Sequence, residues 1–236
     1  MGEKKWLDEF AVIAVIASLT ADVKRAYKLG ACDCFRLPFV TSILNHRIEN
    51  AIATHEKEYR DYLTRAYNRR GFVYMVERFL NHCEDRTRYG ILYFNIKNFK
   101  ATNELLGVKE GDCILQSFCK SIERSFLHPV YTARVEADHF VSFVERDRIS
   151  LKKLEEFCNQ TFEIYNKKIR VHSCCGIFYL KDENMPVAGM VDRAKLAKQH
   201  IVDEYLKPYA VFDQKMEMEY ICLLYTSPSP RDGLLS

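Results

Sequence analysis

Residues 130–144, VYTARVEADHFVSFV, predict a β-hairpin. β-Branched and aromatic residues stand on both sides of a short polar break, a pattern typical of two antiparallel strands joined by a turn. The turn is predicted at Glu136, Ala137 and Asp138. Most tight hairpin turns use glycine or asparagine, whereas this one carries two carboxylates and is followed by His139. The turn is therefore a candidate functional site.

On either side of the hairpin, residues 61–216 alternate between helical and strand patterns. After a turn at 61–67, the predicted elements are a helix (70–82), a strand (89–96), helices from 101 and over 110–126, the hairpin (130–145), a helix (151–165), a strand (169–180), a helix (187–201) and a strand (209–212). This order predicts an α+β fold, with helices flanking a central, mainly antiparallel sheet.

The residues before this domain follow a different pattern. The run FAVIAVIASL (10–19) is continuously apolar and predicts a strand buried on both faces of a parallel sheet. A helix is predicted over 21–29, a short strand at CDCF (32–35) and a long, charged linker helix over 41–67. Residues 1–52 therefore predict a partial α/β unit, which the linker helix joins to the α+β domain.

The composition is that of a globular protein and argues against several classes of function. The 236-residue chain is 48% hydrophobic and 28% charged, with a formal net charge of +3. So small a charge, without a long basic block, argues against a nucleic-acid partner. The apolar run 10–19 is about half as long as a membrane span and lacks the features of a signal peptide. The nine cysteines form no CxxC pair, so we expect a reduced, cytoplasmic protein.

Three stretches resemble the motifs of a known family in the same order. DYLTRAYNRRGF (61–72), YFNIKNFKATNELLGVKEGD (93–112) and ARVEADHF (133–140) are similar to D-x-LT-x-x-x-NRR-x-F, D-I-D-x-FK-x-x-ND-x-x-G-H-x-x-GD and R-x-GGDEF. These are motifs of GGDEF domains, which condense two GTP molecules into cyclic di-GMP. MVDRAKLAKQHI (190–201) and YAVFDQKM (209–216) resemble the closing helix and strand of that family. The resemblance implies a nucleotide-cyclase-like GGDEF domain over residues 61–216.

The two ends of the chain carry further resemblances. IAS (16–18), KLGACDCF (28–35) and LPF (37–39) resemble the last third of a response-regulator receiver domain. CLLYTSPSPRD (222–232) is the translation of one reading frame of a transposase sequencing adapter, so we expect residues 222–236 to be an assembly artefact. The closing motif is common where an EAL phosphodiesterase domain follows. We therefore expect a truncated piece of a receiver-GGDEF-EAL protein.

The resemblance implies a metal-dependent reaction, in which a 3′-hydroxyl of one GTP attacks the α-phosphate of another. Mg²⁺ ions neutralise the phosphate charge, and they prefer carboxylate oxygens in octahedral geometry. The metal positions implied by the family are Asn95, at the end of the first strand, and Asp138 in the turn. The amide of Asn95 brings no charge, and Lys97 takes the place of a second acidic residue. We therefore expect weak Mg²⁺ binding.

The signature itself is changed at several positions. Asp138 and His139 are the catalytic candidates within the five residues Glu136, Ala137, Asp138, His139 and Phe140. Glu136 and Ala137 replace two glycines, the residue that permits a positive φ and a close approach of the backbone. His139 replaces a carboxylate, and imidazole is neutral or cationic near pH 7. These changes predict a degenerate, catalytically inactive site.

The substrate-binding candidates are better retained. By resemblance, Asn103 and Asp112 hydrogen-bond the guanine edge, and Arg134 precedes the signature. An alternative is that Asn103 caps a turn and that Asp112 favours the start of a helix. Lys195 and Lys198 are interpreted as solvated positions of the closing helix.

Three functions remain open from the sequence. The first is a cyclic di-GMP signalling protein whose inactive GGDEF domain binds GTP, or acts as a regulatory or dimerisation module. The second is an active diguanylate cyclase with a variant motif. The third is an interaction scaffold that binds no nucleotide. In the first, the expected partners are GTP with Mg²⁺ and a second copy joined through the linker helix, and no membrane partner is expected.

Overall fold

The computed structural model describes residues 13–16, 20–29, 31, 33–38, 40–181 and 184–226. The chain divides into two compact units, Met1–Arg60 and Asp61–Ser236. The predicted receiver, linker and cyclase-like segments fall on these two units, and each unit has its own sheet.

The N-terminal unit consists of a strand, a helix, a strand and a helix. These are β1 (Ile13–Ile16), α1 (Thr20–Lys28), β2 (Asp33–Arg36) and α2 (Thr41–Tyr59). β1 and β2 pair in parallel. Ile16 and Phe35 are buried between these elements. The predicted α/β order is therefore present, although the ends of the predicted strand 10–19, Cys32 of CDCF and Phe39 of LPF lie outside the described residues.

Helix α2 ends at Tyr59, so the prediction of one helix over 41–67 is wrong at its C-terminal end. The chain turns at Asp61, whose Oδ1 accepts hydrogen bonds from the Thr64 amide at 2.9 Å and the Thr64 hydroxyl at 2.8 Å. The Asp61 amide in turn donates to the Ala66 carbonyl at 2.8 Å. Such local bonds compete with helical hydrogen bonding and end the helix here.

The C-terminal unit is a six-stranded sheet flanked by helices. Its elements are α3 (Arg69–Leu80), β3 (Tyr89–Ile96), α4 (Phe99–Leu106), α5 (Val108–Glu123), β4 (Tyr131–Glu136), β5 (His139–Glu145), α6 (Leu151–Phe157), β6 (Asn159–Ile164), β7 (Lys167–Tyr179), α7 (Val187–Gln199), β8 (Tyr209–Val211) and α8 (Gln214–Thr226). The strand order is β4-β5-β3-β7-β6, with β8 beside β7. All pairs are antiparallel except β7 with β8. The predicted α+β fold is therefore confirmed.

The prediction of one helix over 151–165 is wrong after Phe157, because the second half of this segment forms strand β6. Helix α6 instead ends at Phe157, and residues Asn159–Ile164 pair antiparallel with β7. Thr161 and Glu163 are exposed, whereas Ile164 is buried, an alternation of period two that is typical of a strand. Pairing with β7 therefore outweighs the local helical preference of this short segment.

Strand β3 is buried on both faces and divides the core into two layers. Leu92 and Phe94 pack on one side with α5 residues such as Phe118. Ile91 and Tyr93 pack on the other side among buried residues of α3 and α7. Side chains alternate along a strand, so Asn95, two residues after Tyr93, faces the layer that contains α7. This places the carboxyl end of β3 between α7 and the predicted signature turn.

Candidate functional site

The predicted signature turn is fastened to the end of the central strand. Ala137 and Asp138 join β4 to β5, which confirms the predicted hairpin. Asn95 of β3 lies opposite His139 in the sheet register. The Ile96 amide donates a hydrogen bond of 3.2 Å to the Asp138 carbonyl. The fold therefore brings together Asn95, Asp138 and His139, which are separate in the sequence.

The turn keeps the backbone conformation of a glycine turn although no glycine is present. Ala137 has a φ of 35°. This is the left-handed region, which an L-residue with a Cβ occupies at a cost of about 1–2 kcal/mol. Ala137 therefore adopts a backbone conformation that glycine favours.

The two implied metal positions are hydrogen-bonded to each other. Asn95 Nδ2 donates to Asp138 Oδ2 at 2.9 Å and makes a longer contact of 3.3 Å with the Ile96 carbonyl. Both side chains are half-buried. The amide nitrogen thus points at the carboxylate, and the two side chains satisfy each other without an ion.

The arrangement does not fit a magnesium ion. Mg²⁺ requires oxygen ligands in near-octahedral geometry, and here Asn95 presents a nitrogen to the Asp138 carboxylate. Across the described ranges, no group of three or more His, Cys, Asp or Glu side chains is placed to hold a metal ion. The described residues therefore provide no ligand set for a metal-dependent step at this site.

His139 is held against the core rather than presented to solvent. Its ring centroid lies 5.4 Å from that of Tyr93, and its Nδ1 lies 3.9 Å from Glu136 Oε2. That nitrogen is buried and has no hydrogen-bond partner among the described residues. Burial lowers the pKa of His139, and the charge of Lys198 acts in the same direction, while Asp138 opposes it. A largely neutral imidazole therefore lies where the resemblance implies a carboxylate.

Arg134 braces the turn. Its Nε donates to the Ala137 carbonyl at 2.7 Å, and its Nη1 lies 3.3 Å from Asp61 Oδ1. Arg134 and Asp61 are both largely buried, with side chains 12% and 14% exposed. Phe140, the last signature residue, is fully buried, and its ring centroid lies 5.3 Å from that of Phe118. These two residues support the turn from its two sides.

The implied guanine-binding residues lie on the packed pair α4 and α5. Asn103 belongs to α4, and its Oδ1 is buried without a hydrogen-bond partner in the described part of the chain. A Cβ on Gly111 would lie 1.8 Å from this oxygen, so the glycine leaves the space that Asn103 occupies. Asp112 follows Gly111 and is half-buried on α5. The alternative role of Asn103 as a turn cap receives no side-chain hydrogen bond in support.

Three lysines, Lys97, Lys195 and Lys198, lie close together at the end of β3. This cluster was not predicted from the sequence. Lys97 pairs with Glu204, and Lys195 Nζ lies 4.0 Å from Glu136 Oε2. Lys198 is half-buried, and burial lowers its pKa, with Lys97 adding to the effect and Asp138 opposing it.

The interpretation of Lys198 as a solvated residue is therefore wrong. Two signals in the sequence pointed to its position. Lys195 and Lys198 are three residues apart and share a helix face, and Gly176 in an apolar strand signals a close backbone approach.

The comparison with protein families identifies one profile. It is described as "Diguanylate cyclase, GGDEF domain" and matches residues 58–200. Among the helices of the described residues, none has the length and apolar character needed to cross a membrane.

Three of the similar proteins have the following identity and coverage. The bifunctional diguanylate cyclase/cyclic di-GMP phosphodiesterase MucR of Pseudomonas aeruginosa is 25% identical over 223 residues, which cover 89% of this chain and 31% of MucR. The biofilm architecture maintenance protein MbaA of Vibrio cholerae is 34% identical over 89 residues, covering 34% of this chain and 11% of MbaA. The coiled coil and GGDEF domain of DgcB from Caulobacter crescentus, solved with c-di-GMP, matches with a TM-score of 0.58 and 16% identity, covering 82% of this chain and 100% of that one. The chain thus spans about a third of MucR and a tenth of MbaA.

Proposed function

Because the chain belongs to the GGDEF, or diguanylate cyclase, domain family, we propose that it is a cyclic di-GMP signalling protein whose domain binds GTP without converting it to cyclic di-GMP. The domain then acts as a regulatory or dimerisation module. The observation that carries the proposal is the hydrogen bond of 2.9 Å from Asn95 to Asp138, the two residues that the family resemblance implies as metal ligands.

Loss of synthesis follows from the charge of the site. The attack of a 3′-hydroxyl on an α-phosphate needs the two nucleotides to be held in line. It also needs the negative charge that develops on the phosphate to be neutralised. The strand end offers an amide where the family has a carboxylate, and His139 is an imidazole whose pKa burial lowers. Neither group supplies a ligand charge for Mg²⁺. The domain is therefore expected to turn over GTP very slowly or not at all.

Retention of guanine binding is supported by Asn103. Its buried Oδ1 has no hydrogen-bond partner in the described residues, and a buried polar atom without a partner costs stability unless a ligand or water satisfies it. The amino and imino groups of guanine are donors that an amide oxygen accepts, and Asp112 supplies a further acceptor on the adjoining helix. Adenine presents a different pattern at the same edge, so the proposal includes selectivity for GTP over ATP.

The remaining parts of the proposal concern the rest of the chain. The parallel pair β1 and β2 connected by α1 is compatible with a receiver fragment, and α2 is long enough to pair with a copy of itself. MucR is named as both a cyclase and a phosphodiesterase. We therefore keep as proposals a receiver input, Mg²⁺ as a cofactor only of a restored site, dimerisation through α2 and an EAL domain after Met216.

An active cyclase is the second candidate, and the turn itself is the observation that favours it. Ala137 keeps a positive φ, and Asp138 retains its carboxylate in the third signature position. Arg134 braces the turn at the Ala137 carbonyl. If the side-chain changes reduce rather than abolish catalysis, this preserved backbone would allow product to form.

The test combines a binding and a product measurement on the full chain. Titration calorimetry with GTP and ATP is expected to give saturable binding that prefers GTP, and mass spectrometry is expected to detect no cyclic di-GMP with Mg²⁺ or Mn²⁺. The Asn103→Ala variant should weaken GTP binding about ten-fold, the effect of one hydrogen bond to a buried acceptor. Asn50→Ala, an exposed asparagine of α2, is the matched control. Product formation at a steady rate would establish the second candidate, and absence of nucleotide binding would leave the scaffold.

A restored variant tests whether only the signature has changed. It combines Asn95→Asp and Lys97→Asp with Glu136→Gly, Ala137→Gly and His139→Glu. Because the hairpin register and the Arg134 brace are present, we expect this variant to form cyclic di-GMP in the presence of Mg²⁺. A variant with only the two strand changes controls for the turn. A folded restored variant that binds GTP but forms no product would show that other parts of the domain have lost the activity.

A further inference from the structure

We propose that the nucleoside triphosphate binds at this strand end without a divalent cation, and that the ammonium groups of Lys97, Lys195 and Lys198 neutralise its phosphates. The inference rests on the proposed function, since it concerns how the same site binds GTP. It goes beyond that function, because it replaces the metal by side chains of this chain.

The first step is the charge of the strand end. A cage of carboxylates repels a triphosphate unless a metal ion lies between them. Here Asp138 lies at the end of β3, and Asn95 already donates a hydrogen bond to its carboxylate. Glu136 and Glu204 each lie beside a lysine, Lys195 and Lys97 respectively. The repulsion that makes a metal necessary is therefore largely absent.

The second step is the position of Lys198. Gly176 of β7 lies opposite Tyr93 in the register, and Cys174 lies opposite Asn95. A Cβ on Gly176 would lie 1.9 Å from the Ala194 carbonyl oxygen and 2.5 Å from the backbone nitrogen of Lys198. Helix α7 therefore sits directly on the strand that borders Asn95, and this contact fixes the backbone of Lys198 beside the site.

The third step is the availability of the lysines. Lys198 is half-buried and forms no ion pair with any carboxylate of the described residues. A half-buried ammonium that no carboxylate approaches within ion-pair distance has lost hydration that an anion would replace. Lys195 and Lys97 hold glutamates whose side chains are 60% and 35% exposed. The exposed Glu136 exchanges readily for a phosphate, because surface ion pairs are weak, whereas the Lys97–Glu204 pair is partly buried. The ammonium groups of Lys195 and Lys198 are thus able to contact a bound anion, and that of Lys97 lies beside them.

The experiment measures GTP binding to the full chain in EDTA and in excess Mg²⁺ by titration calorimetry. We expect the two dissociation constants to agree within about three-fold, a difference of less than one hydrogen bond. In EDTA, Lys198→Met should weaken binding about ten-fold or more, the effect of removing one charge-assisted hydrogen bond. Lys152→Met, an exposed lysine of α6, should bind GTP as the unmodified chain does. If Lys198→Met does not fold, Lys195→Met, with a side chain 38% exposed, replaces it.

The outcomes separate this inference from the proposed function. Binding that is lost in EDTA and restored by Mg²⁺ overturns the inference but leaves the domain a GTP-binding module. Equal binding by the lysine variants and the control also overturns it. Absence of GTP binding under both conditions overturns the proposed function itself. Conversely, the Asn95→Asp and Lys97→Asp double variant should bind GTP only when Mg²⁺ is present, because its carboxylates restore the need for a cation.

Discussion

Asn95 Nδ2 and Asp138 Oδ2, which belong to residues 43 positions apart in the chain, are joined by a hydrogen bond of 2.9 Å. A neutral donor thereby stabilises the Asp138 carboxylate at the end of the central strand. Because the bond joins one pair of side chains, single substitutions can test its effect on stability.

Replacing Asn95 by aspartate should make the stability of the domain depend on magnesium. The variant places two carboxylates in contact, and it loses an amide donor that contributes about 1 kcal/mol. In EDTA we expect its melting temperature to fall by roughly 2–4 °C. Added MgCl₂ should restore it and leave the unmodified chain unaffected. Asn50→Asp is the exposed control, and a variant that ignores MgCl₂ would contradict the prediction.

Replacing Ala137 by glycine should stabilise the domain. The φ of 35° at Ala137 is costly for a residue with a Cβ, and glycine removes that cost at some expense of entropy in the unfolded chain. The net gain is expected to be about 0.5–1 kcal/mol. Urea unfolding measures it. Ala101→Gly in helix α4 should have the opposite sign, since glycine is unfavourable within a helix. A loss of stability in Ala137→Gly would count against a strained turn.

The Arg134–Asp61 pair should be energetically coupled. The two side chains are largely buried, and Arg134 also donates to the turn at Ala137. Arg134→Met should cost about 1–3 kcal/mol, because it leaves a partly buried carboxylate with fewer donors. A double-mutant cycle with Asp61→Asn should give a coupling of about 1 kcal/mol. The exposed pair Arg148–Glu145, at 2.9 Å, is the control, and its coupling should be close to zero. Equal couplings in the two cycles would refute the special role of the buried pair.

The attachment of α8 to α7 should weaken as the pH rises. His200 Nε2 lies 2.6 Å from Glu219 Oε2, and its Nδ1 lies 3.0 Å from the Leu196 carbonyl. The Leu196 carbonyl, followed by Glu219, raises the pKa of His200 above 6.5. A raised pKa in the folded state stabilises it fully below pH 6.5, and this stabilisation is lost as the pH rises through the folded value.

Hydrogen exchange of α8 at several pH values measures this effect. Protection should decrease as the pH rises through the folded pKa of His200, once the intrinsic rise in exchange rate is corrected for. The dependence should be absent in His200→Gln and retained in His46→Gln, an exposed histidine of α2. Identical profiles for the unmodified chain and His200→Gln would contradict the prediction.

The central features of the fold were predictable because their patterns are strong. The apolar strand over 89–96 is found with the same bounds, and the hairpin is found with its turn at the predicted position. Strand β6 was not predictable from its own residues, since a six-residue segment next to a helix takes its conformation from pairing with β7. The end of α2 at Tyr59 depended on side-chain hydrogen bonds of Asp61, which periodicity alone does not reveal.

The sequence predicted which residues would lie together at the turn, but not the contacts between them. The motif spacing selected Asn95, Asp138 and His139, and the fold brings them together. That Asn95 bonds Asp138, and that Lys198 lies beside them, depends on the register of three strands and on the contact of α7 with Gly176. Such long-range geometry is set by packing of the whole domain. The spacing of Lys195 and Lys198 and the presence of Gly176 indicate a close approach, but they do not predict these contacts.

The contact at Gly176 has a consequence for mutational tolerance. Both atoms nearest to its missing Cβ belong to the backbone of α7, at 1.9 Å and 2.5 Å, so no rotamer change relieves the clash. Every one of the other amino acids would push the helix away from the sheet. In a saturation scan of the domain, position 176 should therefore accept glycine alone. The position of Lys198 beside the strand end therefore depends on the absence of a side chain at Gly176.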